Sequence, residues 1–319
     1  MSVIPGGGGE MEILSGSAHP ELAREISEHI GRPLGPLRVS RFPDGEIHVR
    51  IETSVRGKDV YIVQPTSPPV NDSFTELLII LDAVRRASAD RITAVIPYYG
   101  YARQDKKTTG REPITARMVA NMLTAGGANR ILTVDLHSPQ IQGFFDIPVD
   151  HLTAVNILSE RLRSMSLENA VVVTPDAGRV GMATEYANRL GLPIVIIHKR
   201  RIGPERTDVA RVVGDVRGKL PVIIDDMITT GATIDRSVRA LLAEGANAEI
   251  CVVVTHPVLV GKALEHLSNP AIRKVFVTNT IAVPSEKRIP KLEVVSIAPL
   301  IAEAIGRIHS NSSVSELFG

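Results

Sequence analysis

The sequence predicts an α/β protein made of two similar domains, each a mainly parallel sheet flanked by helices, arising by internal duplication. Three observations carry this. Short runs rich in Val and Ile are apolar almost throughout, as parallel strands covered on both faces must be. Segments with apolar residues at helical spacing lie between them. The order strand, hydroxyl-rich loop, helix, strand occurs at Asp59 to Tyr99 and again at Leu220 to His256.

Taken in order, Met1 to Glu10 is Gly-rich, without a basic or an apolar stretch, and reads as a flexible tail and not a signal peptide. Leu22, Ile26 and Ile30 form one helical stripe, with Pro20 near its start and Gly31 just past its end. A second helix is expected from about Asn71 to Ala87, with Leu77, Leu81 and Val84 on one face, and a third from about Asp235 to Gly245. The expected strands are Val60–Val63, Ile92–Ile96, Ile131–Asp135, Val171–Thr174, Ile194–Ile197, Val222–Asp225, Ile250–Thr255 and Val275–Thr278. The predicted domains span residues 11–152 and 153–319.

The chain has 319 residues, long enough for two cores, and a formal net charge of +1. No overall field draws it to nucleic acid or to a membrane surface, and no uncharged apolar stretch approaches the ~20 residues that span a bilayer. The single cysteine, Cys251, lies in an apolar run and reads as an inert buried thiol; a reducing, cytoplasmic setting is expected.

The most informative segment runs from Pro221 to Ile234, with Asp225-Asp226-Met-Ile-Thr229-Thr230-Gly231-Ala232-Thr233 at its centre. An apolar strand meets two carboxylates and turns through small hydroxyl residues into a helix. Gly and Ala admit an anion close to backbone N–H groups, and a helix N-terminus favours negative charge. The carboxylates would repel phosphate, so they suit sugar hydroxyls or a cation. The segment reads as a sugar-phosphate cradle; an ordinary turn with Thr caps is the bland alternative.

Other rim segments follow strands, where open α/β sheets bind ligands. Tyr98 to Lys107 contains Arg103, whose forked guanidinium suits phosphate or a base edge, and Gln104, which can donate and accept. Asp135-Leu-His137 and Thr174-Pro-Asp176 offer His137 and Asp176 as ligands of a shared metal on one sheet edge; His137 alone could equally satisfy a local hydrogen bond. His198-Lys199-Arg200-Arg201 begins a basic run that could close over a transferring phosphate, or be a solvated hairpin.

Together, Arg41-Phe-Pro-Asp-Gly-Glu-Ile, Tyr101-Ala-Arg-Gln-Asp, Arg111-Glu-Pro-Ile-Thr-Ala, Asp135 to Phe145, Pro175-Asp-Ala-Gly, Lys199-Arg-Arg, Gly214-Asp-Val, Asp225 to Thr233 and Val277-Thr-Asn-Thr resemble the ribose-phosphate pyrophosphokinase family from about Met11 to Phe318. The resemblance implies phosphoribosyltransferase-like domains and transfer of the diphosphate of ATP to the 1-hydroxyl of ribose 5-phosphate, with Mg²⁺, feeding nucleotide biosynthesis. It implies that Phe42, Asp44, Gly45 and Glu46 form an ATP-binding segment given by a neighbouring subunit, with Arg103, Gln104 and Asp105 as further ATP contacts. It implies His137 and Asp176 as metal ligands, and Lys199 and Arg201 as the mobile-arm pair, Arg201 also reaching the sugar phosphate. Asp225, Asp226, Thr229, Thr230, Gly231, Ala232 and Thr233 match its ribose-5-phosphate site, and a homohexamer built from dimers is the implied assembly.

The chain departs from the family pattern at four places. Lys107-Thr-Thr-Gly-Arg111 lacks an extra basic residue, His198 stands where Asp is common, the arm continues Ile-Gly-Pro-Glu-Arg, and Thr229 replaces a frequent Asp. A phosphoribosyltransferase would share the Asp225–Thr233 loop but leaves Arg103-Gln104-Asp105 without a purpose. A non-catalytic regulatory subunit should lack arm or metal residues, all of which are present.

Overall fold

All eight apolar runs form strands, and the near-total burial of seven of them is what made them legible; Ile194–Ile197 is buried on one face only. The computed structural model describes residues 9–202 and 207–317, and of residues 199–202 and 207–210 the backbone alone. The chain divides into two units.

The first unit contains β1 (Met11–Ser15), α1 (Pro20–Ile30), β2 (Leu37–Arg41), β3 (Ile47–Ile51), β4 (Asp59–Val63), α2 (Val70–Arg86), β5 (Arg91–Ile96), α3 (Thr115–Gly126), β6 (Arg130–Val134) and β7 (Val149–Leu152). Its five-stranded sheet has the order β1-β4-β5-β6-β7, every pair parallel, while β2 and β3 form a separate antiparallel ribbon. The expected caps of α1 are in place. Pro20 opens the helix, the His19 ring accepts the Leu22 N–H, and Gly31 closes it at φ 75°, a left-handed conformation that glycine adopts without strain. Leu77, Leu81 and Val84 of α2 pack on Val60 and Ile62 of β4 and Ile92 of β5 in one apolar core. Of the expected tail, residues 1–8 lie outside the described residues, and the carbonyl of Glu10 accepts the Asp59 N–H at 3.0 Å.

The second unit contains α4 (Val155–Arg163), β8 (Ala170–Thr174), α5 (Val180–Leu190), β9 (Ile194–Ile202), β10 (Thr207–Val213), β11 (Leu220–Ile228), α6 (Ala232–Ala243), β12 (Ile250–Pro257), α7 (Ala263–Leu267), β13 (Ile272–Thr278) and β14 (Leu292–Val295). Its seven strands run β10-β9-β8-β11-β12-β13-β14, all parallel except the β9–β10 pair. The sub-order β8-β11-β12-β13-β14 repeats β1-β4-β5-β6-β7 strand for strand, and each copy inserts a hairpin between its first two strands. Helix α6 starts three residues before the expected Asp235, because Gly231 at φ 76° turns the chain into it sooner. Burial raises the thiol of Cys251 to about 11, so it is inert as expected.

One expectation is corrected. The second domain does not run uninterrupted from 153 to 319: the segment from Ser296 onward belongs to the first unit, where α8 (Ala298–His309) packs on α1. Leu22 and Ile26 of α1 and Ile301, Ile305 and Ile308 of α8 are all buried, and each helix supplies an apolar stripe that neither could leave in water. Helix α4 follows the last strand of the first sheet yet packs on α5 in the second unit. Each unit thus receives the helix that follows the other's final strand.

Candidate functional site

Strand β11 extends beyond the expected end, to Ile228, so Asp225 and Asp226 lie inside it and alternate between its faces. Asp226 is 2% exposed, and Arg179 sets its Nε 3.1 Å from Asp226 Oδ1 and 3.9 Å from Asp225 Oδ1. One guanidinium serves two carboxylates. Burial and the neighbouring Asp226 push the Asp225 carboxyl well above its usual range. Asp225 therefore gains from a hydrogen-bond donor or a cation brought beside it. Sequence reading assigned no role to Arg179; its signal is the cation three residues after Asp176 on the neighbouring strand's rim.

Beyond β11 the backbone is held from one side. The carbonyl of Ile228 accepts the Leu259 N–H at 3.0 Å and that of Thr229 accepts the Val260 N–H at 2.9 Å. The carbonyl of Thr230 meets His266 Nδ1 at 2.7 Å. Because a trans peptide points its N–H opposite to its C=O, these bonds turn the N–H groups of Thr229, Thr230 and Gly231 the other way. Among the described residues no acceptor pairs with those three. The first turn of α6 adds the N–H groups of Ala232 and Thr233, which have no intrahelical partner. The result is a run of donors at a positive helix end, able to hold a phosphate-sized anion.

The equivalent turn of the first unit cannot do this. Between β4 and α2 the chain reads Gln64-Pro-Thr-Ser-Pro68-Pro69, and Pro68 and Pro69 lack N–H groups. The buried Glu76 carboxylate of α2 accepts the Ser17 N–H at 2.6 Å and the Gln64 amide at 3.0 Å beside this turn.

The loop after β5 carries Arg103, Gln104 and Asp105 as expected, with Arg103 and Gln104 exposed. Tyr101 enters it at φ 62° and bonds Asn71 through its hydroxyl. Gln104 is less available than expected: its side-chain oxygen accepts the Thr115 hydroxyl at 2.6 Å and its carbonyl accepts the Ala116 N–H at 3.1 Å, capping α3. Glu112 braces the rest of the loop by accepting the N–H groups of Thr108 and Thr109 at 2.7 and 3.0 Å. Those bonds, the Thr108 hydroxyl's foremost, lower its carboxyl to about 2.

Phe42, Asp44, Gly45 and Glu46 form the β2–β3 turn, where Gly45 stands at φ 97° and the Asp44 carboxylate accepts the Glu46 N–H. Phe42 is 50% exposed, and its ring meets that of His48 in an edge-type contact with centroids 5.3 Å apart. The expectation that His137 and Asp176 share one sheet edge is corrected: His137 follows β6 of the first sheet and Asp176 follows β8 of the second. Asp176 is exposed, with one carboxylate oxygen accepting the Gly178 N–H at 2.9 Å. Among the described residues no three His, Cys, Asp or Glu side chains gather as a metal site. Lys199 and Arg201 lie in β9, paired across to β10, and their side chains are outside the described residues.

Comparison with known proteins decides between the relatives of this loop. Residues 11–127 match the N-terminal domain of ribose phosphate pyrophosphokinase, and residues 200–319 match the phosphoribosyl synthetase-associated domain. The chain is 50% identical to the ribose-phosphate pyrophosphokinase of Gloeobacter violaceus over 309 residues, 97% of this chain and 93% of that one. It belongs to the ribose-phosphate pyrophosphokinase family. The Bacillus subtilis member is also 50% identical, with 97% of both chains covered. The crystal structure of phosphoribosylpyrophosphate synthetase from Mycobacterium smegmatis matches with a TM-score of 0.91 at 44% identity, covering 95% of this chain and 100% of that one. No helix among the described residues is long and apolar enough to cross a membrane.

Proposed function

We propose that the chain transfers the diphosphate group of ATP to the 1-hydroxyl of ribose 5-phosphate, giving 5-phosphoribosyl 1-diphosphate and AMP and so feeding nucleotide biosynthesis. The observation that carries this is the row of donor N–H groups from Thr229 to Thr233, set beside a carboxylate pair with one guanidinium. The 5-phosphate occupies the N–H row, while Asp225 and Asp226 accept hydrogen bonds from sugar hydroxyls. Membership of the family over nearly the whole chain supports the same substrates.

Ribose O1 attacks the β-phosphorus in line and AMP leaves, without a covalent enzyme intermediate. Catalysis in such transfers comes chiefly from positioning and charge neutralisation. Lys199 and Arg201 neutralise the transferring group, Arg201 also reaching the sugar phosphate. Arg103, Gln104 and Asp105 hold ATP, and Phe42, Asp44, Gly45 and Glu46 do so from a neighbouring subunit of a hexamer built from dimers. Mg²⁺ suits the exposed Asp176 carboxylate, which would leave most positions for water and phosphate oxygens, its usual ligands. When bound, it supplies positive charge to the phosphate oxygens. The lone, buried Cys251 supports a cytoplasmic setting.

The test is release of AMP from ATP and ribose 5-phosphate by the purified chain, with and without Mg²⁺. Absence of AMP in every condition overturns the reading, and consumption of phosphoribosyl diphosphate with a free base would make the chain a phosphoribosyltransferase instead. Lys199→Ala is expected to lower turnover by about 10²–10³ at saturating ATP. Turnover within a few-fold of the unaltered chain would remove the arm from the mechanism.

A further inference from the structure

We infer that His266, which lies outside the sugar-phosphate loop in sequence, is a positioning residue for it, a role that rests on the function proposed above. His266 sits on the short helix α7 with its Nδ1 2.7 Å from the Thr230 carbonyl. A carbonyl can only accept, so Nδ1 carries the proton and donates. The loop's other two ties, at Ile228 and Thr229, come from the backbone N–H groups of Leu259 and Val260, which any residue type would supply. The third depends on a side chain. It acts on the peptide between Thr230 and Gly231, and so fixes the direction of the Gly231 N–H, the last donor before α6 begins.

Packing reinforces the bond. A methyl group placed on Gly231 would come within 3.0 Å of His266 Cβ and 3.3 Å of the Ala263 carbonyl oxygen. The glycine therefore lies directly on α7 at a φ of 76°, where any side chain would collide with that helix. Without the imidazole, this peptide can rotate, and its N–H no longer meets a phosphate oxygen.

A role confined to the 5-phosphate affects the binding of one substrate only. His266→Ala is expected to raise the KM for ribose 5-phosphate about five- to tenfold, the effect of one well-placed hydrogen bond. The KM for ATP and kcat should stay within twofold, because the bond acts alike in the ground and transition states. His266→Asn, whose amide can place a donor near the Nδ1 position, should return the sugar-phosphate KM to within twofold of the unaltered chain. An unchanged KM in His266→Ala, a parallel rise for ATP, or failure of the Asn variant to rescue would each overturn the inference. An unaltered chain that releases no AMP would overturn it together with the proposed function, whereas an active chain with an indifferent His266→Ala would overturn it alone.

Discussion

Asp225 and Asp226 share Arg179, and the burial of Asp225 beside a second carboxylate is at once a stability cost and a binding asset. The folded state holds a proton on Asp225 more readily than the unfolded chain does. Its contribution is therefore least unfavourable below the unfolded value of 3.8, and stability is lost as pH rises from there through the folded pKa. Asp225→Asn should raise the melting temperature of the substrate-free protein by a few degrees at pH 7.5, an increment of about 1–2 kcal/mol. The gain should vanish near pH 3, and the KM for ribose 5-phosphate should rise. Equal melting temperatures at both pH values would show that the site stores no such strain. At this scale the sequence was informative where chemistry is local. Asp225 through Thr233 could be read because a strand, a carboxylate pair and a small-residue turn are contiguous. Arg179 and His266 could not, because their roles exist only after β8 and α7 are brought against β11 and the loop after it.

Among the elements, the β2–β3 ribbon was invisible to a search for apolar runs. Its strands alternate half-buried and exposed residues and belong to neither main sheet. The same holds for β7, β10 and β14, which are edge strands, half-buried or beside the basic segment, while β1 is broken by Glu12. The interior strands, buried on both faces, needed no partner to be identified. The ribbon carries the exposed Phe42 on a turn fixed by Gly45, which suits it to reach a base bound elsewhere. Phe42→Ala should raise the KM for ATP about tenfold, the worth of one stacked base, and leave that for ribose 5-phosphate unchanged. A comparable rise for both substrates would indicate damage to the fold rather than loss of a nucleotide contact.

At the level of the molecule, repetition of the strand order was legible in the recurring strand, loop, helix and strand. The return of the C-terminal segment to the first unit was not, since α8 is an unremarkable amphipathic helix until its partner is known. That return is fastened by a buried charge cluster. The Asp59 carboxylate is hydrogen-bonded by the Arg91 guanidinium, by His309 Nδ1 at 2.8 Å and by the Tyr61 hydroxyl, while Arg91 also reaches the Ile308 carbonyl. Burial opposes ionisation of Asp59, but these donors together hold its carboxyl below the usual range. Arg91→Met should cost about 3–5 kcal/mol by leaving Asp59 poorly compensated, seen as a thermal transition lowered by roughly 10 °C. Adding Asp59→Asn should recover much of the loss, and no recovery would mean that the guanidinium matters for packing and not for charge.

The exchange of helices also imposes a schedule on the newborn polypeptide. The apolar side of α1 leaves the ribosome early, but the residues that cover it are translated well over a hundred codons later. At about 5–20 residues per second, that face waits on the order of 10 s without its lid. A nascent chain halted anywhere before Ala298 would present Leu22 and Ile26 to water, so incomplete products should be marked for chaperone capture and degradation instead of persisting as half-enzymes.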